Sequence, residues 1–244
     1  MDSNWTVRRT ILGVTLCGLA SLGGFAEPGA VRATPSATSA ADATLIADAV
    51  QAFYDQTKDV SATFYQTYVN KLYQRIDRSQ GKVVFKKPGM MRWDYQQPNG
   101  KIIVSDGKTL LVYEPGEGGE PGQVIEAEIA NSQLPQAMSF LMGTGRLSDN
   151  FTFRTLDPAR EGFPTGDVLE LKPKQPTPQY ERILFYVERT PALRGLVRRL
   201  LIIDASGNRN RFDFSAFKFN SSLPQAQFAW RPPAGTRVLK NPAQ

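Results

Sequence analysis

The 244-residue chain has no histidine and a single cysteine. Without histidine it lacks the commonest general acid or base and the commonest metal ligand, which argues against a hydrolase or a zinc site. The one thiol, Cys17, lies in an N-terminal segment that reads as a signal for removal, so neither a disulfide nor a cysteine nucleophile is left in the mature protein. No convincing pair of carboxylates takes over that chemistry, so no catalytic residue, bound metal or cofactor is expected. A phosphate-binding loop is missing too: the Gly-rich stretch 116–122 (GEGGEPG) runs into strand-like QVIEAEI, not into a helix carrying Lys and Ser/Thr. The net charge is +6, but its Lys and Arg are scattered, and no basic block marks a nucleic-acid footprint.

What is present begins with an export address. Trp5 to Arg9 supplies a cationic start, residues 10–24 (TILGVTLCGLASLGG) form an uncharged apolar run, and Gly24 and Ala26 place small residues at both cleavage-determining positions. The run is shorter than the roughly 20 residues needed to span a bilayer. Residues 1–26 are therefore read as a cleaved signal peptide, which makes the protein periplasmic. Residues 27–43, rich in Ala, Thr, Ser and Pro, read as a flexible leader, and residues 44–244 as a single folded domain.

The 14 Phe, 8 Tyr and 3 Trp set against 20 Gly and 17 Pro suit many short strands separated by turns. The spacing of Leu45, Ala49 and Phe53, with Ile46, Val50 and Tyr54 beside them, predicts an amphipathic helix over Thr44 to Lys58. From Val60 the period becomes two, placing Val60, Ala62, Phe64, Gln66 and Tyr68 on one strand face. Further strands are predicted at Gly81 to Lys87, Met90 to Tyr95, Ile102 to Val104, Leu110 to Tyr113, Phe151 to Leu156, Val168 to Lys172, Ile183 to Glu188, Leu196 to Asp204 and Asn210 to Phe219. A short apolar helix is predicted over Gln133 to Met142, stopping at Gly143. In the last strand Phe217 and Phe219 are out of phase with Phe212 and Phe214, which predicts a bulge near Ser215. The class is mainly β (α+β), with one large twisted antiparallel sheet of about ten strands that must close, pair or curl around something.

Residues 85–115, FKKPGMMRWDYQQPNGKIIVSDGKTLLVYEP, resemble the signature of the outer-membrane lipoprotein carrier family (LolA): a strand, a basic residue and Pro, a Trp-bearing strand, a Gln/Pro turn, then SDGKTL. VSATFYQ (60–66), VLELKPK (168–174) and FAWRPPAGTRV (228–238) extend the likeness over nearly all of the mature chain. The resemblance implies an open, incomplete β-barrel, a lid of short helices and a cavity that takes acyl chains. Ser105 to Lys108 reads independently as a hairpin turn, with Asp106 accepting local backbone hydrogen bonds and Gly107 supplying positive φ.

Periodicity alone leaves the apolar face of Met91, Trp93 and Tyr95 open between plain core packing and pocket lining; the resemblance favours lining. The expected lining set is Phe64, then Val83 and Phe85, then Met91, Trp93 and Tyr95, then Ile102 and Val104, and finally Phe212 and Phe214. Leu45, Ala49 and Phe53 of the first helix, and Leu134, Met138, Leu141 and Met142 of the second, are expected to face inward as the lid. The family commonly has Arg before this Pro, turned inward to hydrogen-bond the lid in the closed, empty state. Here Lys87 stands there, an ammonium without the guanidinium's fork. Arg92 is the nearest substitute, but alternation puts it on the opposite face.

The implied partners are lipoprotein acyl chains, an inner-membrane ATP-driven lipoprotein exporter and an outer-membrane lipoprotein acceptor, with the protein acting as a monomer. Two alternatives stay open: a carrier of another lipid, and a lipoprotein-sensing regulatory module with the same fold.

Overall fold

A computed structural model of the chain describes residues 37–128, 143 and 145–240. The expected signal peptide, most of the leader and the expected helix at Gln133 to Met142 lie outside the described residues. The chain enters as helix α1 (Ala37–Asp55). Six strands follow: β1 (Asp59–Asn70), β2 (Arg75–Lys86), β3 (Met90–Tyr95), β4 (Ile102–Asp106), β5 (Thr109–Glu114) and β6 (Gln123–Glu128). After a one-turn helix at Leu147–Asn150 come β7 (Phe151–Leu156), β8 (Asp167–Pro173), β9 (Arg182–Val187), β10 (Val197–Ile203), β11 (Arg209–Phe219) and β12 (Arg237–Lys240).

All twelve strands join one sheet in the order β12-β6-β5-β4-β3-β2-β1-β11-β10-β9-β8-β7, whose end strands do not meet. The sheet is an open, incomplete barrel, as expected, with two differences. It has more strands than about ten, and β12 runs parallel to β6, so the sheet is not wholly antiparallel. The curl is visible in ring contacts: Trp93 on β3 lies 5.4 Å from Phe212 on β11, although β2 and β1 separate their strands.

Helix α1 starts seven residues ahead of the expected Thr44, which shortens the leader. The composition that suggested flexibility, Ala at 37, 40, 41 and 43, is also the composition with the best helix propensity. The helix buries Ala43, Ala47, Val50 and Tyr54, one stripe at spacings of four, three and four. The predicted bulge is present in β11. Pairing with β1 slips by one residue between Thr63↔Ser215 and Ser61↔Lys218, and Ala216 takes φ 52°. The extra residue brings Phe212, Phe214, Phe217 and Phe219 all against the same core.

The SDGK turn is built as read. The Asp106 carboxylate accepts from the amides of Lys108 (2.9 Å) and Thr109 (2.8 Å), the buried Ser105 hydroxyl accepts from Gly107 N–H, and Gly107 adopts φ 98°. These backbone donors hold the Asp106 carboxyl below the usual carboxylate range.

Strands β8 to β10 bury both faces. Leu169, Leu171, Ile183, Phe185 and Leu200 join the main core, while Val168, Leu184, Tyr186, Leu201 and Ile203 form a second cluster on the outer face against Phe163. Within that outer face sits Glu170, 1% exposed, whose carboxylate pairs with Arg154 at 2.7 Å and Arg182 at 3.3 Å. A carboxylate so placed is tolerable only while its partners stay. Replacing both arginines by Ala is expected to lower unfolding free energy by about 3 kcal/mol, and adding Glu170→Leu to restore most of it. Urea denaturation measures both; a triple variant no more stable than the double contradicts this account.

Candidate functional site

The inner face of the sheet and the underside of α1 line a half-open apolar pocket of about 30 Å³. Its walls are Tyr54 from α1, Val60 and Ala62 from β1, Val83 and Phe85 from β2, Phe185 from β9, Val197 and Leu200 from β10, and Phe214 and Phe217 from β11. The volume admits about one water-sized group. Among the described residues the side chains around this pocket leave little free space, so a longer occupant enters there only if they repack or α1 lifts.

An aromatic cluster fills the space beside the cavity. Phe64 lies 4.8 Å from Tyr95 and 5.0 Å from Trp93 in edge-on contacts, and Phe85 lies 5.8 Å from Trp93. Such pairs add directional attraction to area burial. Phe64, Val83, Phe85, Met91 and Trp93 are buried, Phe212 is 8% exposed, and Tyr95 and Phe214 are partly buried against the same core. Desolvation raises the Tyr54 and Tyr95 phenols well above their ordinary range, so both stay neutral. The Tyr54 hydroxyl accepts the amide of Val197, tying α1 to the start of β10.

Ile102 and Val104 are not part of this lining. Register pairs Trp93 with Ile103 and Met91 with Ser105, while Ile102 and Val104 sit opposite Asp94 and Arg92 on the outer face. Both faces of β4 carry apolar residues because the C-terminal stretch covers the outer one. There Phe228 is buried, Trp230 meets Tyr113 at 5.2 Å, and the Gln227 carbonyl accepts from Arg92. Arg92, also held by Asp94 at 2.8 Å, is engaged on the outer side.

Of the expected lid residues, Phe53 is partly buried and packs edge-on to Phe219 at 5.4 Å, and Ala49 is half-buried. Leu45 corrects the expectation. It is 60% exposed, because the buried stripe runs through Ala43, Ala47, Val50 and Tyr54, and Leu45, two residues from both Ala43 and Ala47, faces the opposite side of the helix. Leu134, Met138, Leu141 and Met142 lie outside the described residues. The lining by Phe185, Val197 and Leu200 escaped sequence reading because strands apolar on both faces carry no alternation to orient them, and that by Phe217 because the bulge shifts its phase.

Lys87, at the end of β2, reaches the C-terminal end of α1. Its Nζ donates to the Tyr54 carbonyl at 2.6 Å and to the Asp55 carbonyl at 3.3 Å. The Tyr54 carbonyl also accepts the Thr57 amide at 3.0 Å, so the ammonium adds charge-assisted bonds where the helix carries the negative end of its dipole. A Cβ built on Gly143 would fall 2.7 Å from the Lys87 stem, which places that residue directly against it.

Among the described residues, no group of three His, Cys, Asp or Glu is arranged to hold a metal, and no helix is long and apolar enough to cross a membrane. Gly81 shows how tightly the inner face is fitted: a Cβ there would lie 2.1 Å from the Asp94 carbonyl and 2.8 Å from the Phe64 ring. Gly81→Ala is expected to destabilise the fold by about 1–3 kcal/mol through overpacking. A thermal midpoint equal to that of the wild type would count against this fit.

Residues 55–231 match the family model for outer membrane lipoprotein carrier protein LolA. An outer-membrane lipoprotein carrier protein of Cupriavidus pinatubonensis is 30% identical over 214 residues, covering 86% of this chain and 93% of the relative. A protein of the same name from Nitrosospira multiformis is 29% identical over 190 residues, covering 78% and 86%. Among solved structures, a LolA superfamily protein from Nitrosomonas europaea aligns with a TM-score of 0.44 at 16% identity, covering 77% of this chain and 97% of that one.

Proposed function

Because the chain belongs to the outer-membrane lipoprotein carrier (LolA) family, whose members are periplasmic carriers and not enzymes, we propose that it shuttles lipoproteins from the inner to the outer membrane. In this reading the chain is exported, loses residues 1–26 and works as a monomer. An ATP-driven inner-membrane exporter loads it and an outer-membrane acceptor unloads it. An acyl chain of about 15 methylenes left in water costs roughly 12 kcal/mol, so such cargo needs a shield to cross an aqueous gap.

The observation that carries the reading is the small apolar cavity roofed by a helix whose end is held by Lys87. Cargo enters by displacing α1, and its acyl chains take over the contacts that Phe53 and Tyr54 make in the closed state. Closure, helped by the Lys87 hydrogen bonds, then favours expulsion at the acceptor. A ligand shifts such an equilibrium only through differential affinity for the open state, and apolar cargo against an apolar wall has it. The test is to incubate the protein with spheroplasts and assay soluble lipoprotein complexes; failure to release any, beside a known carrier that does, defeats the proposal. Lipid extracted from the native protein and identified as a glycolipid would instead mark a carrier of another lipid.

Lys87 offers a finer prediction. Lys87→Met removes two hydrogen bonds that favour the closed state, one of them short and charge-assisted, worth about 1.5–3 kcal/mol. Release from spheroplasts should persist, while delivery to acceptor-bearing membranes should slow on the order of tenfold as cargo is retained. Equal delivery by Lys87→Met and wild type would show that Lys87 is not the latch.

A further inference from the structure

The β1–β2 hairpin ends in two large side chains that nothing covers: Leu72 is 78% exposed and Tyr73 76%. Ile76 beside them is 49% exposed. This tip is an ordered structure. The Asn70 carboxamide accepts the Tyr73 amide at 3.0 Å, and the Asn208 carboxamide, from the β10–β11 turn, accepts the Lys71 amide at 2.9 Å. Asn208 is in turn fixed by Asp204, which also accepts the Ser206 amide. A braced turn that holds Leu and Tyr out in water calls for an occupant.

Cations ring the tip. Lys71, Arg75, Arg78 and Arg209 are all exposed, and Arg209 pairs in register with Val69 at the last turn of the hairpin. The local acids are engaged: Asp77 holds Arg75 at 2.8 Å, and Asp204 serves its own turn. The tip is also the end of β1 farthest from Lys87, roughly 36 Å along an 11-residue rise.

We propose that this tip is a membrane-contact point, where Leu72 and Tyr73 dip into the interfacial layer of a bilayer while Lys71, Arg75, Arg78 and Arg209 meet anionic headgroups. Apolar and aromatic side chains with Lys and Arg behind them are the set that anchors proteins at a membrane interface. A protein partner fits the shape less well. Stable protein interfaces bury about 800 Å² on each side, and a convex point of two or three side chains offers too little. Such weak contact suits a protein that must visit a membrane and leave it, and it places the tip at the surface with the α1 end turned away. The inference stands apart from the carrier reading.

The test is sedimentation of the exported protein with vesicles of phosphatidylcholine containing about one-third phosphatidylglycerol, and with phosphatidylcholine alone. The wild type should bind the anionic vesicles, more weakly the neutral ones, and lose binding as salt rises. Leu72→Ser/Tyr73→Ser should weaken binding on the order of tenfold while the thermal midpoint stays unchanged. No binding to anionic vesicles, or equal binding by the double variant, overturns the proposal. So does a photo-crosslinker at position 73 that captures a protein in intact cells while vesicles are not bound. Spheroplast release separates the two proposals: a wild type that binds vesicles but releases no lipoprotein leaves the tip standing and removes the carrier.

Discussion

An open sheet has to hide its inner face, and almost every other feature of this molecule follows from how that is done. Twelve strands curl far enough to bring rings from β3 and β11 together, yet the end strands β12 and β7 never pair. A closed barrel would leave no edge and would surround its interior with strands on every side. Among the described residues α1 covers the inner face along one stripe, and two of the four buried residues in that stripe are alanines. Small residues let the helix backbone approach β7 and β8 closely, but they bring little apolar area of their own. Most of the burial on the inner face therefore comes from the sheet's own aromatics, and the helix is the less strongly held layer.

The outer face is handled differently in each half. Over β3 and β4 the C-terminal stretch lies down as a cover, with Phe228 buried and Arg92 bound to the Gln227 carbonyl. Over β8 to β10 a second apolar cluster under Phe163 does the same work and shelters Glu170. Neither cover is asked to move in the proposed cycle. In that cycle the scaffold stays fastened on its outside while its inside adjusts, so that a cavity opens without loss of the fold.

These two-sided strands also decide what could be read from the sequence. Where one face is apolar, alternation oriented the chain correctly: Phe64, Val83, Phe85, Met91 and Trp93 all point inward. Where both faces are apolar, the same reasoning failed. Ile102 and Val104 were assigned the wrong face because the segment that covers them lies more than a hundred residues away, which no local pattern reports. The helix stripe was misplaced for a related reason. Ala43 and Ala47 are too small to mark a face by hydrophobicity, so the eye follows Leu45, the one large residue in that stretch that the helix leaves in water. Turns and the bulge were legible because their causes are local: Asp106 and Gly107 in the hairpin, and a phase change among four Phe in β11.

The scarcity of free space among the described residues of the inner face suits the reversible carrier proposed above. If the empty state held a cavity large enough for acyl chains, cargo would bind without displacing anything, and nothing would favour its release. In the proposed cycle, cargo competes with Phe64, Trp93, Phe212 and Phe214, side chains of similar polarity, so the exchange of apolar contacts is close to balanced and small biases decide it. On that proposal, the two Lys87 hydrogen bonds to helix carbonyls are such a bias. A guanidinium in its place could span both carbonyls with fixed forked geometry, whereas the ammonium makes one short bond and one long. In the proposed cycle, a closed state held by one short and one long bond shifts the balance toward loading and leaves more of the unloading to the proposed acceptor.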